Sequence, residues 1–97
     1  MLRFEWDERK NRSNRTKHGI WFEEAVSVFQ DPCGRLFDDS EHPEEEDRSI
    51  LIGLSQLTRM LVVVHCCKES DLLVRIISAR EATEKEIRFY EEGIRLF

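Results

Sequence analysis

The sequence predicts an α+β domain with a mostly antiparallel sheet and the element order β-α-α-β-β-β-β-α. Two helical patterns follow a short first strand, and three segments rich in apolar and β-branched residues, joined by short polar turns, fill the middle of the chain. A capping sequence then opens a final helix. A chain of 97 residues is the size of one domain, so we expect a single domain over residues 1–97.

The first part of the chain is expected to hold one strand and two helices. Residues 2–6 form the strand, and Asp7 is a suitable N-cap for a helix over residues 8–18, which carries almost no apolar side chain. A second helix is predicted over residues 21–30, because apolar residues recur there at i, i+3, i+4 and i+7 and Pro32 follows.

The second part is expected to hold four strands and the last helix. Their β-branched content and lengths favour strands at Arg35–Phe37, Arg48–Leu54, Arg59–Cys66 and Leu72–Ala79. The sequence Thr83-Glu84-Lys85-Glu86 is a capping box, which predicts the start of the final helix.

Composition excludes several classes of protein. Hydrophobic residues make up 40% of the chain, too many for a disordered protein. The longest strongly apolar run, Met60–Val64, is too short to cross a bilayer, and the N-terminus has no signal-peptide character, so we expect a cytoplasmic protein without membrane contact. Two of the three cysteines are adjacent, which fits no zinc spacing, so we expect reduced thiols and neither metal nor cofactor.

The formal net charge of −5 argues against a nucleic-acid partner, but the charge is unevenly distributed. Residues 1–20 hold six basic and three acidic side chains, whereas residues 21–49 hold two basic and ten acidic ones. The basic first segment, together with the strand-rich middle of the chain, can meet a phosphate backbone.

Short stretches along the whole chain form a recognisable series. They include Phe4-Glu5-Trp6-Asp7, Lys17-His18-Gly19, Phe22-Glu23-Glu24-Ala25, Arg75-Ile76-Ile77-Ser78-Ala79-Arg80-Glu81-Ala82-Thr83, and then Glu86, Tyr90 and Glu91. In order and spacing they resemble the BrnT toxin family. The resemblance implies a RelE-like fold and a type II toxin–antitoxin ribonuclease that cleaves RNA to block translation. It also implies a BrnA-like antitoxin, in a heterotetramer or larger assembly that would meet DNA only through the antitoxin.

The candidate catalytic residues follow from what RNA cleavage without a metal requires. The 2′-hydroxyl must lose a proton, the phosphate charge must be stabilised, and the 5′-oxygen must gain a proton. Arginine matches phosphate oxygens with its planar fork, which favours Arg48, Arg75 and Arg80 for the second task. Lys17 and Tyr90 are candidates for the proton transfers, although Tyr90 also fits the apolar stripe of the last helix.

Several of these side chains have structural interpretations that stay open. Arg75 interrupts an apolar strand on the face of Leu73 and Ile77, so it needs an anion from either the protein or RNA. Arg80 is expected just after that strand, near the start of the last helix, as a phosphate ligand or a structural arginine. Ser78 is a candidate RNA contact, or a capping residue paired with Glu81.

A second candidate RNA-binding group lies on the first helix. Lys10, Asn14 and Lys17 recur at roughly helical spacing and share one face, and His18 follows. The alternative is a solvated face on which Asn14 bonds nearby backbone and His18 interacts with the helix end. His65, on an apolar strand, is expected to be a core histidine.

Two other functions remain as alternatives. His65, Cys67 and Lys68 depart from the family pattern, which has Tyr and Glu-Arg there, so the chain can also be a binding module that has lost turnover. Residues 38–47 hold seven carboxylates and can form a magnesium site of a metal-dependent nuclease, although their spacing matches no EF-hand.

Overall fold

The computed structural model describes residues 1–39, 48–68 and 72–95. The elements are β1 (Arg3–Glu5), α1 (Glu8–His18), α2 (Phe22–Ser27) with a 3₁₀ turn at Val28–Gln30, β2 (Arg35–Asp38), β3 (Arg48–Leu54), β4 (Met60–Lys68), β5 (Leu73–Glu81) and α3 (Glu84–Arg95). The predicted α+β class and element order are confirmed, with the 3₁₀ turn added. Within these ranges, no helix combines the length and the apolar character needed to span a membrane.

The described strands form one sheet in the order β1-β5-β4-β3-β2. The pairings of β2 with β3, β3 with β4 and β4 with β5 are antiparallel, as expected for strands joined by short connections. Strand β1 pairs parallel to β5, with Phe4 opposite Val74. The prediction of a mostly antiparallel sheet is therefore confirmed, and the parallel edge strand brings the N-terminus beside the last strand.

The two faces of the sheet differ in how they are covered. Helices α1 and α2 and the 3₁₀ turn cover one face, and the core there consists of Ile20, Phe22, Ala25, Val28, Leu51, Leu61, Val63, Val74, Ile76 and Ala79. On the opposite face, α3 covers one end through Tyr90, which packs against Ile52 and Val62. Since strand residues alternate between faces, Arg48, Cys66 and Arg75 lie on this second face beyond α3.

An irregularity in the pairing of β4 with β5 changes the alternation along β5. Val64 pairs with Ser78, but the next residue, His65, pairs with Ile76, so Ile77 is the extra residue of a bulge. Arg75 and Arg80 are five residues apart and would face opposite ways on a regular strand. The bulge places both on the second face, and it breaks the predicted alternation of Arg75 with Ile77.

Two predictions about this region are wrong. Ser78 and Glu81 do not form a capping box, because both lie within β5, where their backbone pairs with β4. Arg80 lies within β5 for the same reason, not after it. The capping box at the start of α3 is confirmed: the Glu86 amide donates to Thr83 Oγ1 at 3.2 Å, and the Thr83 amide donates to Glu86 Oε1 at 2.8 Å.

Helix α1 is held by buried amides in place of an apolar stripe. Asn11 is fully buried, and its Oδ1 accepts from the amide of Phe22 at 2.7 Å, which fixes the start of α2. Asn14 donates to the carbonyl of Ala79 at 2.8 Å and accepts from the amide of Ala79 at 3.1 Å. Because β1 ends at Glu5, the edge of β5 is open at this level, and the Asn14 side chain pairs with it as a strand would.

His65 lies in the core, as predicted. Its side chain is 1% exposed, and its ring packs edge-on against Phe29 with ring centroids 4.9 Å apart. The ring Nδ1 lies 3.2 Å from the carbonyl oxygen of Val63. Burial disfavours the charged form and lowers the pKa of His65 below its usual range.

Candidate nucleic-acid interface

Three arginines predicted from the sequence lie on the second face of the sheet. Arg48 on β3 and Arg75 on β5 both pair with Cys66 on β4, so the three form one row across the strands. With a strand spacing of about 4.8 Å, the backbones of Arg48 and Arg75 are about 10 Å apart. Arg80 lies on the same face, opposite Val62 and close to α3. We call Arg48, Arg75 and Arg80 the arginine face.

Each arginine of this face is ion-paired with a carboxylate. The pairs are Arg48 with Asp39 at 2.9 Å, Arg75 with Glu5 at 2.9 Å, and Arg80 with Glu86 at 2.8 Å. The arginine side chains are 18%, 38% and 43% exposed respectively. The carboxylates therefore orient the guanidinium groups, while part of each group stays open to solvent. The anion that Arg75 was expected to need comes from the protein, and its ion pair is half-buried.

The Arg80 pair has the most restrained geometry of the three. Arg80 Nη1 and Nη2 each donate to one oxygen of Glu86 at 2.8 Å, which makes a bidentate fork. Glu86 is held in turn by the hydroxyl and amide of Thr83, at 3.1 and 2.8 Å. The Arg80 guanidinium lowers the pKa of Glu86 to about 2, so the carboxylate stays ionised. The start of α3 thus fixes Arg80 in one orientation.

A separate cleft lies between α1 and the bulge of β5, with a volume of about 160 Å³. It is lined by Lys10, Ser13, Asn14, Lys17, His18, Ile77 and Ser78. We call it the α1 cleft. The structure thus brings together all four candidate RNA-binding residues and Lys17. The side chains of Lys10, Lys17 and His18 are exposed, so their charged or polar ends can reach a ligand.

Asn14 differs from the other residues of the α1 cleft. It is 6% exposed, and its Nδ2 donates to the carbonyls of both Ile20 and Ala79 while its Oδ1 accepts from the Ala79 amide. Both amide hydrogens are thus engaged by backbone. The side chain holds α1 against β5, and so positions Lys10 and Lys17 beside Ser78.

Tyr90 packs on the second face against Val62, the residue that pairs with Arg80, but its hydroxyl is engaged by the protein. It is 7% exposed, and its hydroxyl donates to Asp31 Oδ2 at 2.7 Å. The same carboxylate accepts from the amides of Leu54 and Cys33, which ties the end of β3 to the turn after α2. Burial and the Asp31 carboxylate raise the pKa of Tyr90 well above its usual range. The arrangement joins α3 to the rest of the fold.

The alternative metal site falls mostly outside the described residues. Of the seven carboxylates in residues 38–47, the structure describes Asp38 and Asp39, and Asp39 is paired with Arg48. Among residues 1–39, 48–68 and 72–95, no group of three or more His, Cys, Asp or Glu side chains is placed to hold a metal ion.

Sequence reasoning missed an apolar groove between α3 and the sheet. Its volume is about 550 Å³, and it is lined by Phe37, Ile52, Thr83, Lys85, Glu86 and Phe89. We call it the aromatic groove. One signal was available, since Phe89 falls outside the predicted stripe of α3 that contains Tyr90 and is therefore an aromatic residue without a place in the core.

Comparisons with known proteins give a family match and a structural match. A family model described as the ribonuclease toxin BrnT of type II toxin–antitoxin systems matches residues 6–86. The crystal structure of the ribonuclease toxin BrnT from Brucella abortus superposes with a TM-score of 0.67. That pair is 22% identical, and the match covers 87% of this chain and 100% of the other, which shows a shared fold. None of the curated proteins compared with the chain matches it.

Proposed function

The chain belongs to the BrnT family of ribonuclease toxins of type II toxin–antitoxin systems, and from this we propose a cytoplasmic endoribonuclease that cleaves RNA without a metal. In this proposal a BrnA-like antitoxin neutralises it. The observation that carries the proposal is the presence of three partly exposed arginines on one sheet face. Guanidinium groups in a fixed orientation are suited to the charge that develops on a phosphate during cleavage.

The proposed chemistry divides between two groups of residues. The 2′-oxygen of the RNA forms a bond to phosphorus while the bond from phosphorus to the 5′-oxygen breaks. Arg75 and Arg80 would stabilise the phosphate, with Arg48 holding a neighbouring one. The proton released by the 2′-hydroxyl and the proton taken up by the 5′-oxygen need a base and an acid, and Lys17 and His18 are the exposed candidates. This division of roles requires the RNA to cross the open edge of β5, where Ser78 of the α1 cleft lies two residues from Arg80.

The remaining predicted residues take other roles in the proposal. Lys10 and Ser78 would contact the RNA backbone from the α1 cleft. Asn14 acts as a positioning residue, because its amide is engaged by backbone. Tyr90 is assigned a structural role, since its hydroxyl donates to Asp31 and its raised pKa makes it a poor acid near neutral pH.

Membership of a type II system implies an antitoxin partner. We propose that a BrnA-like antitoxin covers the arginine face with an acidic segment, whose carboxylates replace RNA phosphates on Arg48 or Arg80. Carboxylates of the chain itself already bind these arginines at 2.8–2.9 Å, which supports the geometry. The complex would be a heterotetramer or larger and would meet DNA through the antitoxin.

One observation favours a second candidate function. Every arginine of the arginine face is paired with a carboxylate of the same chain, so RNA has to compete with an internal anion. The same arrangement suits a binding module without turnover, which acts through its antitoxin complex. Growth arrest on expression, reversed by coexpression of the neighbouring reading frame, would separate the toxin from this alternative.

The direct test is RNA cleavage by the purified chain in the presence of EDTA. We expect cleavage to persist in EDTA and to fall about 100-fold or more in Arg80→Ala, the loss typical of removing one donor to a developing negative charge. Arg12→Ala is the matched control, since Arg12 is exposed on α1 and does not line the α1 cleft. Cleavage that stops in EDTA and returns with magnesium would refute the metal-independent mechanism.

A further inference from the structure

The aromatic groove lies on the same side of the sheet as the arginine face, at the end covered by α3. Phe37 on β2 and Phe89 on α3 form one wall, with ring centroids 5.7 Å apart and planes at 78°. Each phenylalanine is 38% exposed, so a substantial part of each ring faces solvent. Aromatic surface of this kind is available to a flat ligand.

The rim of the groove carries positive charge. The guanidinium of Arg35 lies 3.9 Å from the centroid of the Phe89 ring, and its Nη1 donates to the Phe89 carbonyl at 2.7 Å. Gly93 allows this approach, because a Cβ there would come within 2.6 Å of Arg35 Cδ. Lys85 adds a second cation, and Glu86, the one carboxylate among the described residues of the lining, is neutralised by Arg80.

A second groove of nearly the same size provides a contrast. It has a volume of about 500 Å³ and also contains an exposed aromatic residue, Trp21, which is 44% exposed. Its described lining includes Glu8, Glu23 and Glu24 and no cation, although Arg59 neutralises Glu24 and Arg15 lies 5.7 Å from the centroid of the Trp21 ring. Glu8 and Glu23 would repel a polyanion. The two grooves match in volume and aromatic exposure and differ in charge, and the aromatic groove is the one suited to an anionic chain.

We infer that the aromatic groove binds an unstacked base of single-stranded RNA whose backbone lies on the arginine face. Bases of single-stranded RNA stack on phenylalanine rings, and the lining of the groove offers Phe37 and Phe89. The aromatic groove is continuous with the arginine face, because Glu86 lines the groove and also binds Arg80. This continuity supports the assignment. The inference rests on the proposed function and adds a base subsite to it.

The test uses a 2′-O-methyl oligonucleotide, which cannot be cleaved by 2′-hydroxyl attack, with a single 2-aminopurine. Binding is measured by fluorescence anisotropy, and stacking by quenching of 2-aminopurine. We expect Phe89→Leu to weaken binding about tenfold and to remove the quenching, whereas Phe89→Trp keeps both. Trp21→Leu is the matched control, an exposed aromatic residue in the acidic groove, and should bind as the parent chain does.

The outcomes separate this inference from the proposed function. If Phe89→Leu and Phe37→Leu both fold and bind like the parent chain while Arg80→Ala loses binding, the base subsite is wrong and the ribonuclease proposal stands. If the parent chain neither binds nor cleaves RNA, both are wrong. If the phenylalanine variants bind the oligonucleotide normally but release the copurified antitoxin, the groove belongs to the protein partner and the inference is overturned.

Discussion

Replacing Asn14 with alanine should destabilise the protein strongly, although the residue was first predicted to bind RNA. The side chain makes three hydrogen bonds, to the carbonyl of Ile20 and to the amide and carbonyl of Ala79, at 2.8–3.1 Å. In Asn14→Ala these three backbone groups lose their partner in a site where the asparagine is 6% exposed. The amide and carbonyl of Ala79 at the edge of β5 and the carbonyl of Ile20 after α1 would then lack these hydrogen bonds.

The size of the effect follows from these contacts. Each lost hydrogen bond costs about 1 kcal/mol, so the free energy of unfolding should fall by about 3 kcal/mol. The total for a domain of this size is about 5–15 kcal/mol. At about 4–8 °C per kcal/mol, the melting temperature should fall by about 12–24 °C. Asn14→Asp should cost more at neutral pH, because it replaces two donors with a buried charge facing two carbonyls.

Thermal unfolding followed by circular dichroism measures the effect, with Lys10→Ala and Lys17→Ala as controls. Both lysines are exposed in the α1 cleft, so their loss should reduce RNA binding and leave the melting temperature within a few degrees. The reasoning is refuted if Asn14→Ala melts at the temperature of the parent chain and loses RNA binding. That result would mean that the Asn14 side-chain amide binds RNA and not the backbone.

Other predictions concern the arginines, His65 and Tyr90. Arg80→Ala and Arg75→Ala should abolish most RNA cleavage and change the melting temperature little, because partly exposed ion pairs contribute about 0–1 kcal/mol; extensive unfolding of either variant would contradict this. Burial lowers the pKa of His65, so below about pH 6.5 the unfolded chain takes up a proton that the folded protein excludes. Urea unfolding at pH 5.5 and 7.5 should show lower stability at the acidic pH, and less difference in His65→Leu. Tyr90→Phe should lower the free energy of unfolding by about 1.5–3 kcal/mol, because the hydrogen bond to Asp31 is lost, and should leave RNA cleavage unchanged. Loss of cleavage at unchanged stability would instead assign the hydroxyl to catalysis.

Local sequence signals predicted the bounds of helices and strands well where a segment carried a single signal and no competing one. Helix α1 begins after Asp7, whose side chain accepts from the Arg9 amide, and ends at Gly19 with a φ of 75°, as the capping residues indicated. Strand β3 has its predicted bounds, Arg48–Leu54. Around residues 78–86 two Ser/Thr-x-x-Glu patterns follow each other, and pairing with β4 decided that the first one stays in the strand.

The candidate site was predictable in residue type and less so in arrangement. Sequence indicated Arg75 and Arg80, but an unpredicted bulge at Ile77 puts them on one face. The pairing of Arg75 with Glu5 spans 70 residues and depends on the parallel β1–β5 pair, which no local pattern encodes. The fixed geometry of Arg80 was likewise not predictable, because it depends on the contact between β5 and the capping box of α3.

The ion pairs of the arginine face affect how RNA could approach it. Three cations held within 2.9 Å of three carboxylates project the field of dipoles, which decays over a shorter distance than that of free charges. With a Debye length of about 10 Å at 0.1 M salt, such a face exerts little long-range attraction. Few counterions are released from this face on binding, so its contribution to the affinity should change only weakly with ionic strength. Such a face would not attract RNA from a distance. It would bind only a strand that other contacts have already brought close to it.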